Sequence, residues 1–82
     1  MTEERTLTFG EKAVGLDFNP SGDETVQKLK ELYAQIIDIC QEWRTDAHDS
    51  ANPGRERLCS IAITQAQDAQ MWAVKAVTWK HG

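Results

Sequence analysis

An all-α fold is predicted for this 82-residue chain: a short N-terminal helix followed by a long antiparallel helical hairpin, assembled as a homo-oligomer. Three features predict it. The stretch Arg57 to Trp79 runs without Gly or Pro and places Leu58, Ile61, Ala62, Ala66, Ala69, Trp72, Ala73 and Ala76 at helical spacing. Upstream, Val26, Leu29, Tyr33, Ile36, Cys40 and Trp43 follow alternating steps of three and four, the seam pattern of packed helices. Between them, Arg44 to Gly54 gathers Asp, Ser, Asn, Pro and Gly, the chemistry of a hairpin turn. The last helix would be about 35 Å long, more than so short a chain can cover on every side, so it is expected to need partners.

Taken in order, residues 1–5 are expected to fray, and the whole chain, 1–82, to form one domain. Thr8 can cap a helix from Phe9 to Val14, with Glu11 as the third residue of a capping box and Gly15 ending it. Leu16 to Gly22 reads as a connector in which Leu16 and Phe18 alternate with polar residues, as in an extended strip. Asn19-Pro20-Ser21-Gly22 is turn chemistry. Ser21 or Asp23 can cap the first long helix. Leu32, Ile37 and Ile39 lie beside its seam, which makes the apolar face broader than one neighbour requires. Lys80-His81-Gly82 closes the last helix with basic residues and glycine. Its alanine face is expected to pack against the first long helix, while Met71, Trp72 and Trp79 join protomers.

A net charge of −4 argues against binding a DNA or RNA polymer, which wants a basic surface. It leaves room for a small anion held by a few local cations. No apolar run is long enough for a transmembrane helix, and the polar start MTEERTLT is not a signal peptide. Cys40 and Cys59 form no CxxC pair; reduced, buried thiols are expected rather than a disulfide or a zinc site. His48 and His81 stand near no nucleophile or carboxylate at a recognisable spacing and are expected to be exposed. There is no phosphate loop and no nucleophile elbow. No catalytic residue, metal or cofactor is expected, and the chain is not read as an enzyme.

A few residues suit a binding site. The turn at Asn19 to Gly22 leads into a helix start, where exposed N–H groups and the Ser21 hydroxyl can hold a phosphate; plain capping is the commoner use. Phe18 is either an anchor for the connector or a surface on which a base stacks. Lys30 is either a solubilising lysine or, if the connector folds back, a cation beside the same turn. Arg55 and Arg57 oppose the macrodipole at the start of the last helix, which hints at an anion or an acidic neighbour such as Glu56 or Asp49. Thr64 is a possible hydroxyl partner, although a mid-helix threonine usually bonds to its own preceding turn.

The succession FGEKAVGLDFNPSG, VQKLKELYAQIIDIC and RLCSIAITQAQDAQMWAVKAVTW resembles the helical-hairpin domain of phage anti-CBASS and anti-Thoeris cyclic-nucleotide sponges, over roughly Thr6 to Lys80. The resemblance implies a protein that binds cyclic oligonucleotide or cyclic ADP-ribose-type immune messengers and withholds them from their effector without cleaving them. It also implies a homo-oligomer, commonly a hexamer, acting in the host bacterial cytoplasm, with cyclic dinucleotides between protomers and cyclic trinucleotides at a separate site. For the first site it implies Phe18 as the stacking aromatic and Lys30 as the phosphate-pairing lysine. Leu32 stands where some relatives have a threonine, so Asn19 or Ser21 is the candidate for that contact. For the second it implies Arg57, with Ser60 one turn on and Thr64 beyond, and Ile63 where relatives carry arginine. The competing reading is a small oligomeric helical module that engages a host protein.

Overall fold

The computed structural model of the chain describes residues 6–80; the expectations for residues 1–5 and for His81 fall outside them. Three helices make it up: α1 (Phe9–Val14), α2 (Glu24–Asp49) and α3 (Pro53–Thr78). There is no strand among the described residues. α1 forms as the sequence predicts. The Thr8 hydroxyl accepts from Glu11 N at 3.1 Å, and the Glu11 carboxylate accepts from Thr8 N at 2.9 Å, a reciprocal capping box. Gly15, at φ 64°, ends the helix in the left-handed region. Its N–H donates to Lys12 O and that of Leu16 to Glu11 O, which satisfies the last carbonyls in a Schellman arrangement.

The connector is not the extended strip expected. It makes two successive turns, with Phe18 N donating to Gly15 O at 2.9 Å and Gly22 N to Asn19 O at 3.0 Å. Pro20 follows Asn19, where its fixed φ suits the first central residue of a turn. Asp23, rather than Ser21, caps α2: its Oδ1 accepts from Thr25 N and Val26 N at 2.8 and 3.0 Å.

The hairpin turn is shorter than predicted. α2 continues through Arg44 to Asp49, and α3 begins at Pro53, a turn before Arg57. Tertiary contacts explain the extension: Ala47 is fully buried, and Arg44 bonds across the hairpin to Ser60. Packing of this kind overrides weak local propensity. Asn52 caps α3 through Arg55 N at 3.2 Å, with Pro53 in the first helical turn, where its missing N–H is no loss. α2 ends in the same way as α1. Ala51 N donates to His48 O, and Asn52 N donates to Ala47 O at 2.8 Å. Here the left-handed residue is Ala51, at φ 55°, where a Cβ is unfavourable. Ala51→Gly is therefore expected to stabilise the fold by about 1 kcal/mol, measured as a rise in the urea midpoint with an unchanged slope.

The two long helices run antiparallel. At the turn, Arg44 faces Ser60 and His48 faces Glu56. At the open end, Val26 and Lys30 share a cleft with Val74 and Thr78. α1 crosses α2 closely at Gly10, whose N–H donates to Asp38 Oδ1 at 2.7 Å. The core of Val14, Leu16, Ala34, Ile37 and Ile63 lies where α1 and the connector meet the middle of the hairpin.

The buried faces match only in part those the periodicity suggests. On α2 the buried residues are Val26, Lys30, Ala34, Ile37 and Ala47, while Leu32, Ile36, Ile39 and Trp43 remain 48, 48, 56 and 52% exposed. On α3 Ile63 and Gln70 are buried. Ala66 and Ala73 are half-buried, but Leu58, Ile61, Ala62, Ala69, Trp72 and Ala76 are exposed. The alanine series thus turns only partly toward α2. Beside the buried Val26, Ile37 and Ile63, the seam takes in Lys30 and Gln70 while Leu32, Ile36, Ile39 and Trp43 stay half exposed, which a self-sufficient monomer does not favour. The radius of gyration, 14.9 Å, exceeds the roughly 12 Å of a compact domain this size. Cys40 and Cys59 are free and half-buried rather than buried.

Candidate ligand-binding site

Four of the residues singled out in the sequence meet in one place. Phe18, Asn19, Ser21 and Lys30 line a cleft of about 210 Å³ together with Pro20, Val26, Val74 and Thr78. The connector folds back along α2 because Lys30 draws it there: Lys30 Nζ donates to Gly15 O at 3.0 Å and to Phe18 O. The lysine is only 6% exposed. Its ammonium also lies 5.6 Å from the centre of the Phe18 ring, within cation–π range. An ammonium carries three donors, so two fasten the connector and one is left for a ligand.

Phe18 is 73% exposed and does not anchor the connector by burial; the lysine does that. Its ring therefore offers a free stacking face beside a cation. Asn19 Nδ2 donates to Asp23 O at 3.0 Å, and the Ser21 hydroxyl reaches Asn19 Oδ1 at 3.4 Å. Ser21 is exposed and can turn its hydroxyl outward. The N–H groups of Thr25 and Val26 already face the Asp23 carboxylate. The helix start therefore serves capping, and a phosphate would have to sit nearer Lys30 than the helix axis.

A larger cleft, about 580 Å³, lies on the other side of the connector, lined by Asp17, Glu24 and Glu31 with Lys28 as its one cation. Three carboxylates repel an anionic ligand, so its size does not make it the better candidate. The 210 Å³ cleft is below the usual range of ligand pockets, about 300–1,000 Å³.

The second group of predicted residues is only partly assembled. Arg57, Ser60 and Thr64 share one side of α3. Arg57 is exposed. Thr64 Oγ1 donates to Ser60 O at 3.1 Å, the local bond common for mid-helix threonine. Ser60 Oγ accepts from Arg44 Nη1 at 3.3 Å. Arg44 also bonds Gln41 and lies 5.4 Å from the Phe9 ring, joining all three helices. Around it a cleft of about 340 Å³ is lined by Arg44, Thr45, His48, Glu56 and Ser60. His48 is exposed as expected, but it does have a carboxylate partner: its Nδ1 lies 3.1 Å from Glu56 Oε2. Helical rise separates Arg44 from Lys30 by about 21 Å, so the two clefts are distinct.

Arg44, Val74 and Thr78 are among the lining residues that sequence reasoning misses. Arg44 was assigned to the turn, although its seven-residue spacing from Ile37 continues the buried stripe. Val74 and Thr78 follow only once the antiparallel register is fixed. Among the described residues, no group of three His, Cys, Asp or Glu side chains could hold a metal ion, and no helix is long and apolar enough to cross a membrane.

The architecture defines a small helical-hairpin domain with a connector clasped to its open end. The family model described as "Acb2/Tad1, hairpin domain" matches residues 11–78, and the chain belongs to that family, the anti-CBASS and anti-Thoeris sponge family. It is a family of binding domains associated with phage anti-defence sponge function and not known as enzymes. No curated protein and no solved structure matches the chain.

Proposed function

We propose that the protein sequesters a cyclic oligonucleotide immune messenger, uncleaved, in the cytoplasm of an infected bacterium, its hairpin domain assembled into a homohexamer. The observation that carries this reading is the cleft where the Lys30 ammonium lies beside the exposed Phe18 ring, with Asn19 and Ser21 on its rim. A cyclic dinucleotide presents two flat bases and two phosphates. One aromatic and one cation per protomer suffice when two protomers face each other across a two-fold axis, and a small cleft on each chain suits that arrangement. Phe18 stacks on a base, Lys30 pairs with phosphate, and Asn19 and Ser21 donate hydrogen bonds. The Arg44 and Ser60 cleft, with Arg57 and Thr64 beside it, is the candidate for a second ligand such as a cyclic trinucleotide. Cyclic ADP-ribose isomers belong to the same ligand class.

Phe18→Ala tests the stacking role. Because the ring is exposed, the fold should be unaffected. Loss of one base–aromatic contact, about 1–3 kcal/mol, should weaken cyclic-dinucleotide binding about 10- to 100-fold in calorimetric titration. Unchanged affinity in a folded variant would move the pocket elsewhere.

A further inference from the structure

We infer that the outward side of the last turns of α3, where Lys75 stands between Trp72 and Trp79, is a docking surface for an anionic lipid bilayer.

Lys75 Nζ lies 5.5 Å from the centre of the Trp72 ring and 5.9 Å from that of Trp79, within cation–π range of both. One ammonium thus holds two tryptophans on the same side. At about 100° per residue, Trp72 and Lys75 point roughly opposite Ile63 and Gln70, the buried positions of α3. Trp72 and Trp79 are 64 and 57% exposed, and Lys75 and Lys80 are exposed as well. The cluster takes no part in the core, and none of it lines the Lys30 cleft. A lysine in the last turn of a helix complements the macrodipole, but two exposed tryptophans around it do not follow from that.

Charge selects the occupant. Residues 69–82 carry Lys75 and Lys80 and no Asp or Glu, a formal charge of +2, so the chain's −4 leaves −6 on residues 1–68. Asp68, one turn before Trp72 on the same side of α3, marks the edge of the patch. The tryptophans therefore stand in a cationic stretch of an acidic protein, and an anionic partner is favoured there. A protein interface takes tryptophan at its centre but is depleted in lysine, and here the lysine is at the centre. A nucleic-acid strand needs cations along a groove, which two lysines on a convex helix face do not supply. A small ligand needs a concave pocket. At a bilayer surface each part has a place. Indole rings sit at headgroup level, and lysine stems lie on the apolar boundary with their ammoniums at the phosphates. α3 lies along the surface rather than through it, since no described helix is long and apolar enough to cross a membrane. The rings and the ammoniums are two weak signals, which together give reversible attachment.

Flotation of the full chain with lipid vesicles tests the inference. At low salt the protein should float with equimolar phosphatidylcholine–phosphatidylglycerol vesicles and not with phosphatidylcholine alone, and added salt should release it. Its tryptophan emission should shift to the blue with the mixed vesicles only. The double substitution Trp72→Ala, Trp79→Ala should abolish flotation. Lys75→Gln, which keeps both rings, should weaken vesicle affinity about fivefold. All three sites are exposed, so helix content by circular dichroism should stay unchanged. A wild-type chain that ignores the mixed vesicles at low salt, or floats equally well with neutral ones, overturns the inference. So does full flotation of the double variant. A double variant that changes the mass of the assembly, while the wild-type chain ignores vesicles, makes the tryptophans a contact between copies instead.

Discussion

Lys30→Ala should abolish most messenger binding and loosen the connector at once. The ammonium donates to Gly15 O and Phe18 O from a position only 6% exposed. Charge-assisted hydrogen bonds of this kind are worth about 1.5–3 kcal/mol each. With the loss of one such bond to a ligand phosphate, and of the ring position that depends on the connector, affinity for a cyclic dinucleotide should fall on the order of 100-fold or more. Unfolding stability should fall by about 2–3 kcal/mol. Lys30→Met separates the two effects: it retains most of the apolar stem and so recovers part of the stability but none of the binding. Neither variant alters the exposed apolar side chains of α2, so the mass of the assembly should be unchanged. Wild-type affinity in Lys30→Ala would mean that this lysine only fastens the connector.

Gly10→Ala should have the largest effect on stability for the smallest change in volume. A Cβ at Gly10 would stand 2.1 Å from Ala34 O and 2.9 Å from Ala34 C, both backbone atoms of α2. Backbone cannot swing aside as a side chain can, so α1 must lift off α2. Lifting it lengthens the 2.7 Å bond from Gly10 N to Asp38 and uncovers Val14 and Leu16, two of the five residues of the buried core. The expected loss is about 3 kcal/mol, the upper part of the overpacking range, read in urea unfolding. In so small a domain that is a large fraction of the total. Because α1 leads directly into the connector, messenger affinity should weaken as well. A fully stable Gly10→Ala variant would contradict the close crossing of α1 and α2.

Local chemistry was legible in the sequence. The capping box at Thr8 and Glu11, the stop at Gly15 and the cap at Asp23 all follow from side chains interacting with their own neighbours. What the sequence misplaced depends on a second element. The turn was drawn too long because Asp46, His48 and Asp49 look like turn residues, and only Ala47 packing and the Arg44–Ser60 bond hold them in the helix. The seams are legible only in part: periodicity finds the most apolar stripe, whereas the buried positions join Val26 and Ile37 to Lys30, Ala34 and Ala47 on α2, and Ile63 to Gln70 on α3. Of the apolar seam ending at Trp43, Val26 is buried and Leu29, Tyr33 and Cys40 are half-buried, while Ile36 and Trp43 face outward. A sequence read as a monomer puts that stripe inside by default. Phe18, Asn19, Ser21 and Lys30 were each ambiguous alone; the Lys30 bonds to the connector are what gather them into one cleft, and nothing in their spacing could specify those bonds.

The central claim, that the chain binds and preserves a cyclic nucleotide messenger, is tested most directly by calorimetric titration of the wild-type protein against a panel of cyclic dinucleotides, cyclic trinucleotides and cyclic ADP-ribose isomers, followed by heat denaturation and recovery of the ligand. Saturable binding of at least one member is expected, with one dinucleotide per two chains and quantitative recovery of the intact molecule. Absence of binding by every member to a folded, assembled protein would contradict the claim and favour a protein-binding module, whereas recovery of a linearised nucleotide would make the protein a hydrolase.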